Sequence, residues 1–535
     1  MSVIVDTFPP VLLSVSRPSA FPATPKQLQS LTGLRFVAAS LIVLEHSAGR
    51  FGLPADLGHP FLFDQAVSFF FILSGFILTY VYPSLDGIGT RRFLLARVAR
   101  LWPAHLVAFA LLFLVLPVAA TGRQDGHTLG IAVLNLLLIH AWIPFKQVFY
   151  SFNVVSWSIS TELSFSLFFP LLIHNWQRTW WWKLTLTLGL VVGLVTLISI
   201  THLPANSGMG TTGLLYINPL GRLFEFTLGM TTALLWRRLV PQIHVSLSGG
   251  TLFEGLAIFS VAACMYGSST WAHALATHTW VGAAGVFWLA QIGFTCLSFT
   301  VLVLVMACET GLVSRFLGLP LPVLLGEISF SVYLIHDILI SYYTVHFRAF
   351  LRVPNWLIYS LFWIITLLVA HIIWRAVECP CRAFIMRLGK GQSAPTTRMR
   401  QRRISLPARS GIGELFLLLC LVVPMVWISR GTPKADQGHL DGVSCTLVTG
   451  WAWDEHQPNI PVTIDLFDAT QHLATVRADR PRPDLGGGGF GNGQHGFVYV
   501  MPTLLKNNLS HAIRAEIVGT TIVLNGSPRV ITCPP

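Results

Sequence analysis

Arg35 and His46 stand at the two ends of RFVAASLIVLEH, a stretch that is otherwise apolar until Glu45. Eleven residues of helix rise about 16 Å and turn about 1100°, three turns and roughly 20° more. Both side chains therefore lie on one face, with Glu45 roughly 100° off it. Ionisable groups at membrane depth face an aqueous cavity or a polar partner. An imidazole there can take a proton from a hydroxyl at neutral pH, or attack an acyl group itself. Spacing alone leaves two readings. One is a channel with a cation at its entrance and a base at its depth; the other is a histidine hydrogen-bonded to a neighbouring helix.

Other polar residues sit in apolar surroundings. RRFLLARVARLWPAHL places Arg97 and Arg100 one helical turn apart. Guanidinium forks suit bidentate contacts with phosphate, and ordinary anchoring at a membrane face explains the pair equally well. SWSISTELSFSLFFPLL carries Glu162 near the outer end of an apolar run, where a carboxylate must be paired, neutral or open to a cavity. FFFILSGFILTY contains Ser74 and Gly75, small enough for close helix contact. ISFSVYLIHDIL adds Tyr333, His336 and Asp337.

The elements that must hold these residues follow from composition. The 535 residues are 53% hydrophobic and 11% charged, with mean hydropathy +0.64, against roughly a quarter charged in soluble domains. The fold class expected is an all-α polytopic membrane domain followed by a small all-β domain. About ten apolar runs are long enough to span, near residues 31–49, 65–82, 93–119, 152–174, 184–201, 218–236, 251–270, 281–306, 323–345 and 355–377. Residues 130–141 are too short to cross and read as re-entrant or interfacial. With residues 1–27 as a cytoplasmic tail, Arg91, Arg92, Arg178, Lys183, Arg237, Arg238 and Arg315 all fall on the cytoplasmic side, as the positive-inside rule requires. The net charge of +12 is then topological, and no nucleic-acid partner is needed. The basic stretch 386–410 reads as a cytoplasmic linker and 411–429 as an eleventh span. The first 27 residues do not read as a signal peptide.

That topology puts residues 430–535 outside. They alternate in segments such as VTIDLF and HGFVYV and read as a β-sandwich-like domain. Cys445 and Cys533 lie near its two ends, in a compartment that permits a disulfide; the alternative is two unpaired thiols. No pair of the eight cysteines has CxxC spacing, and Cys379 and Cys381 are too close for the usual zinc spacing, so no metal site is expected.

Taken in order, Arg35-(ten residues)-His46, FFFILSGF, Arg97-x-x-Arg100, WSISTE, ISFSVYLIH and ECPCR resemble the acyltransferase 3 family over about residues 28–385. These are integral membrane O-acyltransferases of the kind that decorate bacterial surface polysaccharides. The resemblance implies a ten-helix domain in the bacterial inner membrane, with the C-terminal domain in the periplasm. Some members end in an SGNH hydrolase-like domain; this tail is too short for one and lacks its catalytic serine block. GWAWDEHQP and ADRPRPDLGGGGFGNGQHGF look instead like a small accessory domain of bacterial glycan-modifying proteins. Trp451 and Trp453 there could stack on sugars or fill the core.

The resemblance also implies roles. Acyl-CoA, with acetyl-CoA the expected form, is the donor substrate and no cofactor is bound permanently. Arg35, Arg97 and Arg100 hold its phosphates. His46 is the catalytic base or nucleophile, and Glu162 orients or deprotonates the acceptor from the outer side. Ser74, Tyr333 and His336 are supporting residues; the family does not generally require an acid at Glu45, whose place on the helix suits it to hold a neighbouring helix or to tune His46 from behind, and it ranks below Glu162. The acceptor is a surface polysaccharide or a lipid-linked glycan, with membrane lipids around the protein and a polysaccharide synthase complex as a further partner. Two rival functions are a glycan or lipid transporter and a non-catalytic membrane partner of a synthase.

Overall fold

A computed structural model describes residues 26–388 and 437–534, apart from segments at 55–60, 117–127, 204–209, 241–244, 279–281, 348–353, 486–491 and 519–522 and a few isolated positions. The expected eleventh span at 411–429 and most of the linker 386–410 lie outside the described residues.

The chain first builds a helical domain. Its long helices are α1 (Gln29–His46), α2 (Ala66–Val81), α3 (Thr90–Val115), α4 (Ser156–Ile173), α5 (Trp176–Thr201), α6 (Pro219–Leu239), α7 (Leu247–His278), α8 (Ala283–Met306), α9 (Pro320–His346) and α10 (Asn355–Ile373). A π-helical turn, Trp374–Glu378, joins α10 to α11 (Cys379–Leu388). Eight helices among the described residues are long and apolar enough to cross a membrane. The remaining two of the ten expected spans are α1 and α6, with 18 and 21 residues. Charges dilute their hydropathy: Arg35 and Glu45 in α1, and Arg222, Glu225, Arg237 and Arg238 in α6.

Local chemistry starts these helices where the site needs them. Asn218 caps α6 by accepting from the Leu220 N–H, with Pro219 in the first turn. The first N–H groups of α1 find no side-chain cap nearby in sequence. Glu309 supplies it, accepting from Gln29 N at 2.8 Å and from Ser30 N at 3.3 Å. Lys183 does the reverse at the end of α4, donating to the carbonyls of Leu172 and His174.

Two helix pairs form the frame, and glycines let each pair close. At the α2–α6 crossing a Cβ on Gly75 would stand 2.0 Å from Phe226 O, and one on Gly229 1.9 Å from Ile72 O. Along α1 and α9, a Cβ on Gly326 would stand 1.8 Å from Thr32 O. Small residues at such crossings let backbones touch where lipid gives no hydrophobic drive to associate.

Residues 130–141 do not cross. They form the helix Thr128–Leu136 and a 3-10 turn, His140–Trp142. Side chains stitch the loop that follows into the bundle. Ser160 donates to Leu138 O at 2.6 Å, Asn135 to Ser151 O at 3.1 Å and Asn153 to Leu334 O at 2.8 Å. Irregular backbone inside a membrane domain persists only with such partners.

The second unit is all-β. Its strands are β1 (Gln437–Val443), β2 (Leu447–Trp453), β3 (Thr463–Asp468), β4 (Gln471–Arg477), β5 (Arg480–Pro481), β6 (Gln494–Val500), β7 (Ser510–Ile517) and β8 (Arg529–Thr532). They form two antiparallel four-stranded sheets, β1-β2-β6-β5 and β4-β3-β7-β8. Alternate residues of β3 and β7 point inward, so Ile464, Leu466, Ile513, Ala515 and Ile517 share one core with Leu440, Val448 and Phe497. Trp453 is buried and Trp451 half-buried, which makes Trp453 a core residue. A disulfide joins Cys445 to Cys533, Cα to Cα 5.4 Å.

Candidate active site

A cavity of about 730 Å³ opens among α1, α2, α3, α4, α9 and α11. Four arginines reach it from three helices: Arg35, Arg97, Arg100 and Arg382. Two carboxylates answer them. Arg97 donates from Nη2 to Glu162 Oε1 at 2.7 Å and from Nε to Ser166 Oγ at 3.1 Å. Glu378 accepts from Ser331 and interacts electrostatically with Arg35, Arg100 and Arg382. Four guanidinium groups against these two acids leave positive charge in excess at the cavity.

Glu162 has a partner that its place in the sequence did not reveal. The sequence puts it at the outer end of its span, addressing an acceptor there. In the structure it pairs with Arg97 on the wall of the arginine cavity. Arg97 is the eighth residue of the 26-residue α3 and Glu162 the seventh of the 18-residue α4, and the packing of the two helices brings them into contact. Arg97 is correspondingly less available to a phosphate than its spacing with Arg100 suggests.

The far wall of the cavity is aromatic. Tyr333 exchanges a hydrogen bond with Ser158 Oγ at 2.8 Å, and Phe70 and Phe71 lie beside it. Ser74 also lines the cavity, one residue before the glycine that lets α2 close on α6. His46 is not among the cavity's lining residues. It lies one turn beyond Tyr333, where its Nδ1 meets Nε2 of His336 at 2.8 Å. The rings are nearly coplanar, 17° apart, with centroids separated by 5.1 Å. That separation matches the N···N distance plus the two ring radii, so the nitrogens point at each other and the rings do not stack face to face. Asp64 and Asp337 interact electrostatically with this histidine. Glu45 is half-buried beside it in sequence.

Sequence reasoning missed two parts of the site. Arg382 and Glu378 belong to ECPCR, which reads as the end of the domain; the helix continues through the π turn into α11, and Arg382 on it lines the cavity. Arg222 and Glu225 form a fully buried ion pair of 2.7 Å on α6, with Arg222 donating to Ser68 and lying 4.8 Å from the Tyr216 ring. Their three-residue spacing inside GRLFEF was the available signal.

Comparison with known proteins places the chain in a family. A family model described as an acyltransferase domain, acyltransferase 3, matches residues 28–375. The acyltransferase MdmB of Streptomyces mycarofaciens is 30% identical over 335 residues, 59% of this chain and 80% of that protein. The O-acetyltransferase OatA of Staphylococcus aureus is 24% identical over 430 residues, 76% of this chain and 64% of that protein, so the chain spans less than two thirds of OatA. Protein 2 in the picA locus of Rhizobium radiobacter is 41% identical over 91 residues, 16% of this chain and 45% of that protein. No solved structure matches the chain. The match covers every helix that contributes to the cavity except α11, and with it the His46–His336 pair: the chain belongs to the acyltransferase 3 family and is a multi-pass membrane O-acyltransferase.

Proposed function

We propose that this chain moves an acyl group, acetyl in the simplest case, from a coenzyme A thioester to a hydroxyl of an extracytoplasmic glycan. The observation that carries the reading is the arginine-lined cavity whose inner wall, Tyr333, stands one turn from the His46–His336 pair. A cavity of about 730 Å³ lies within the usual range for small-molecule sites, roughly 300–1,000 Å³. Arg35, Arg100 and Arg382 present guanidinium forks suited to the donor's phosphates. The acyl end would pass Tyr333 toward His46.

The chemistry then needs one base. His46 Nε2 takes the hydroxyl proton as the acceptor oxygen bonds to the thioester carbonyl carbon. The carbon–sulfur bond breaks, and the thiolate leaves with the proton returned by His46. The acetyl assignment draws on the name of OatA, and the glycan acceptor on the resemblance in sequence. The setting proposed is the bacterial inner membrane, with the arginine cavity toward the cytoplasm and the β-domain outside.

The test uses the full chain in proteoliposomes with radiolabelled acetyl-CoA and an oligosaccharide acceptor. Label should enter the oligosaccharide as an alkali-labile ester, and His46→Ala should abolish transfer at unchanged abundance. Glycan movement without label transfer would replace this reading with transport.

A further inference from the structure

The His46–His336 pair contains more information than a contact. His336 is fully buried, and its Nδ1 faces two backbone carbonyls, Tyr333 O at 2.7 Å and Val332 O at 3.3 Å. A carbonyl oxygen only accepts, so His336 Nδ1 must carry a hydrogen. In the neutral ring the other nitrogen, Nε2, is then an acceptor. Its lone pair points along the line of centres at His46 Nδ1, 2.8 Å away. His46 must answer as donor from Nδ1, which leaves its lone pair on Nε2.

We propose that His336 is a positioning residue for acyl transfer: it fixes His46 in the tautomer whose Nε2 is unprotonated and aims that nitrogen away from α9, toward the acceptor hydroxyl. This rests on His46 being the base. The chain of donors starts at the backbone of α9, so the tautomer is set by a rigid helix. The tilt of the His46 ring is set with it, because the hydrogen bond is in plane. When His46 takes the hydroxyl proton, its Nδ1–H stays bonded to His336, and Asp64 and Asp337 lie close enough to interact electrostatically with it. The arrangement does for this histidine what a carboxylate does in a Ser-His-Asp triad, with a neutral acceptor in place of an anion.

The experiment compares wild type, His46→Ala, His336→Leu and His336→Gln as full-length chains in proteoliposomes. His336→Leu removes the acceptor and should lower kcat about 100-fold, within the range that one correctly placed base contributes, with KM for acetyl-CoA changed less than about twofold. Glutamine can place its Oε1 near the position of His336 Nε2 and should recover part of kcat. Nitrogen-15 NMR of histidine-labelled wild type should show His46 protonated on Nδ1, a readout independent of whether any variant folds. His46 protonated on Nε2, an unchanged kcat in His336→Leu, or a glutamine variant no better than leucine would overturn the proposal. If His46→Ala keeps full turnover, the proposed base falls as well. If it is inactive while His336→Leu is normal, the positioning role alone falls.

Discussion

Arg97 and Glu162, drawn from α3 and α4, meet at 2.7 Å on the wall of one cavity, with Arg97 only 7% exposed and Glu162 20%. A guanidinium so held is fixed in orientation by Glu162 and Ser166. The pair therefore shapes the cavity that Arg35, Arg100 and Arg382 face.

Removing either partner strands the other in a poorly solvated place. Arg97→Ala and Glu162→Ala should each lower the thermal midpoint of the detergent-purified chain and its transfer rate. The double variant should lose less than the sum, with a coupling of about 1–3 kcal/mol. Additive losses would show two independent residues at opposite ends of the domain, as the sequence suggests.

The α2–α6 crossing allows no side chain. Gly75→Ala or Gly229→Ala puts a methyl group about where a backbone carbonyl now lies. Each should cost about 1–3 kcal/mol of stability and part of the activity, because Ser74 and Arg222 ride on the same two helices. Thermal shift and transfer rate should fall together, and Val at either position should be worse than Ala.

Arg382 is predicted to act on the donor's nucleotide end. Arg382→Ala should raise KM for acetyl-CoA about tenfold, the value of one charged hydrogen bond of roughly 1.4 kcal/mol. Acetyl-pantetheine, which lacks the nucleotide, should be used equally by wild type and variant. An equal loss with both donors would remove the phosphate role.

The disulfide closes a loop of 88 residues in sequence. Cys445→Ser should therefore destabilise the β-domain by about 2–4 kcal/mol. Limited proteolysis of the full chain should cut residues 437–534 faster in the variant or after reduction, while the helical domain is cleaved as before.

The spans were readable because a membrane asks for about 20 apolar residues and little else. Even α1 and α6, the two least apolar, were legible as interrupted runs. The eleven-residue spacing of Arg35 and His46 could be placed on a helix from geometry alone. What could not be read was any relation between helices. The depth of Glu162 depends on where α4 starts relative to α3, and the Tyr333–Ser158 contact depends on how α4 and α9 are rotated. His336 could be named but not paired, since its partner lies 290 residues away. Arg382 was hidden for a different reason. ECPCR sits where the apolar run ends, and the helix runs on past that end, through a π turn, to bring Arg382 to the cavity.

Tyr333, Ser158, Phe70 and Phe71 line the arginine cavity, and one turn beyond Tyr333 on α9 stands His336 with its partner His46. A membrane that stores energy as an ion gradient tolerates no open pore the width of a coenzyme. In the proposed reaction only the slender acyl tail would need to pass these side chains, which would narrow the way for water and ions. The same tyrosine that ends the cavity would thus act as an insulator, keeping ester synthesis from short-circuiting the cell's electrical potential.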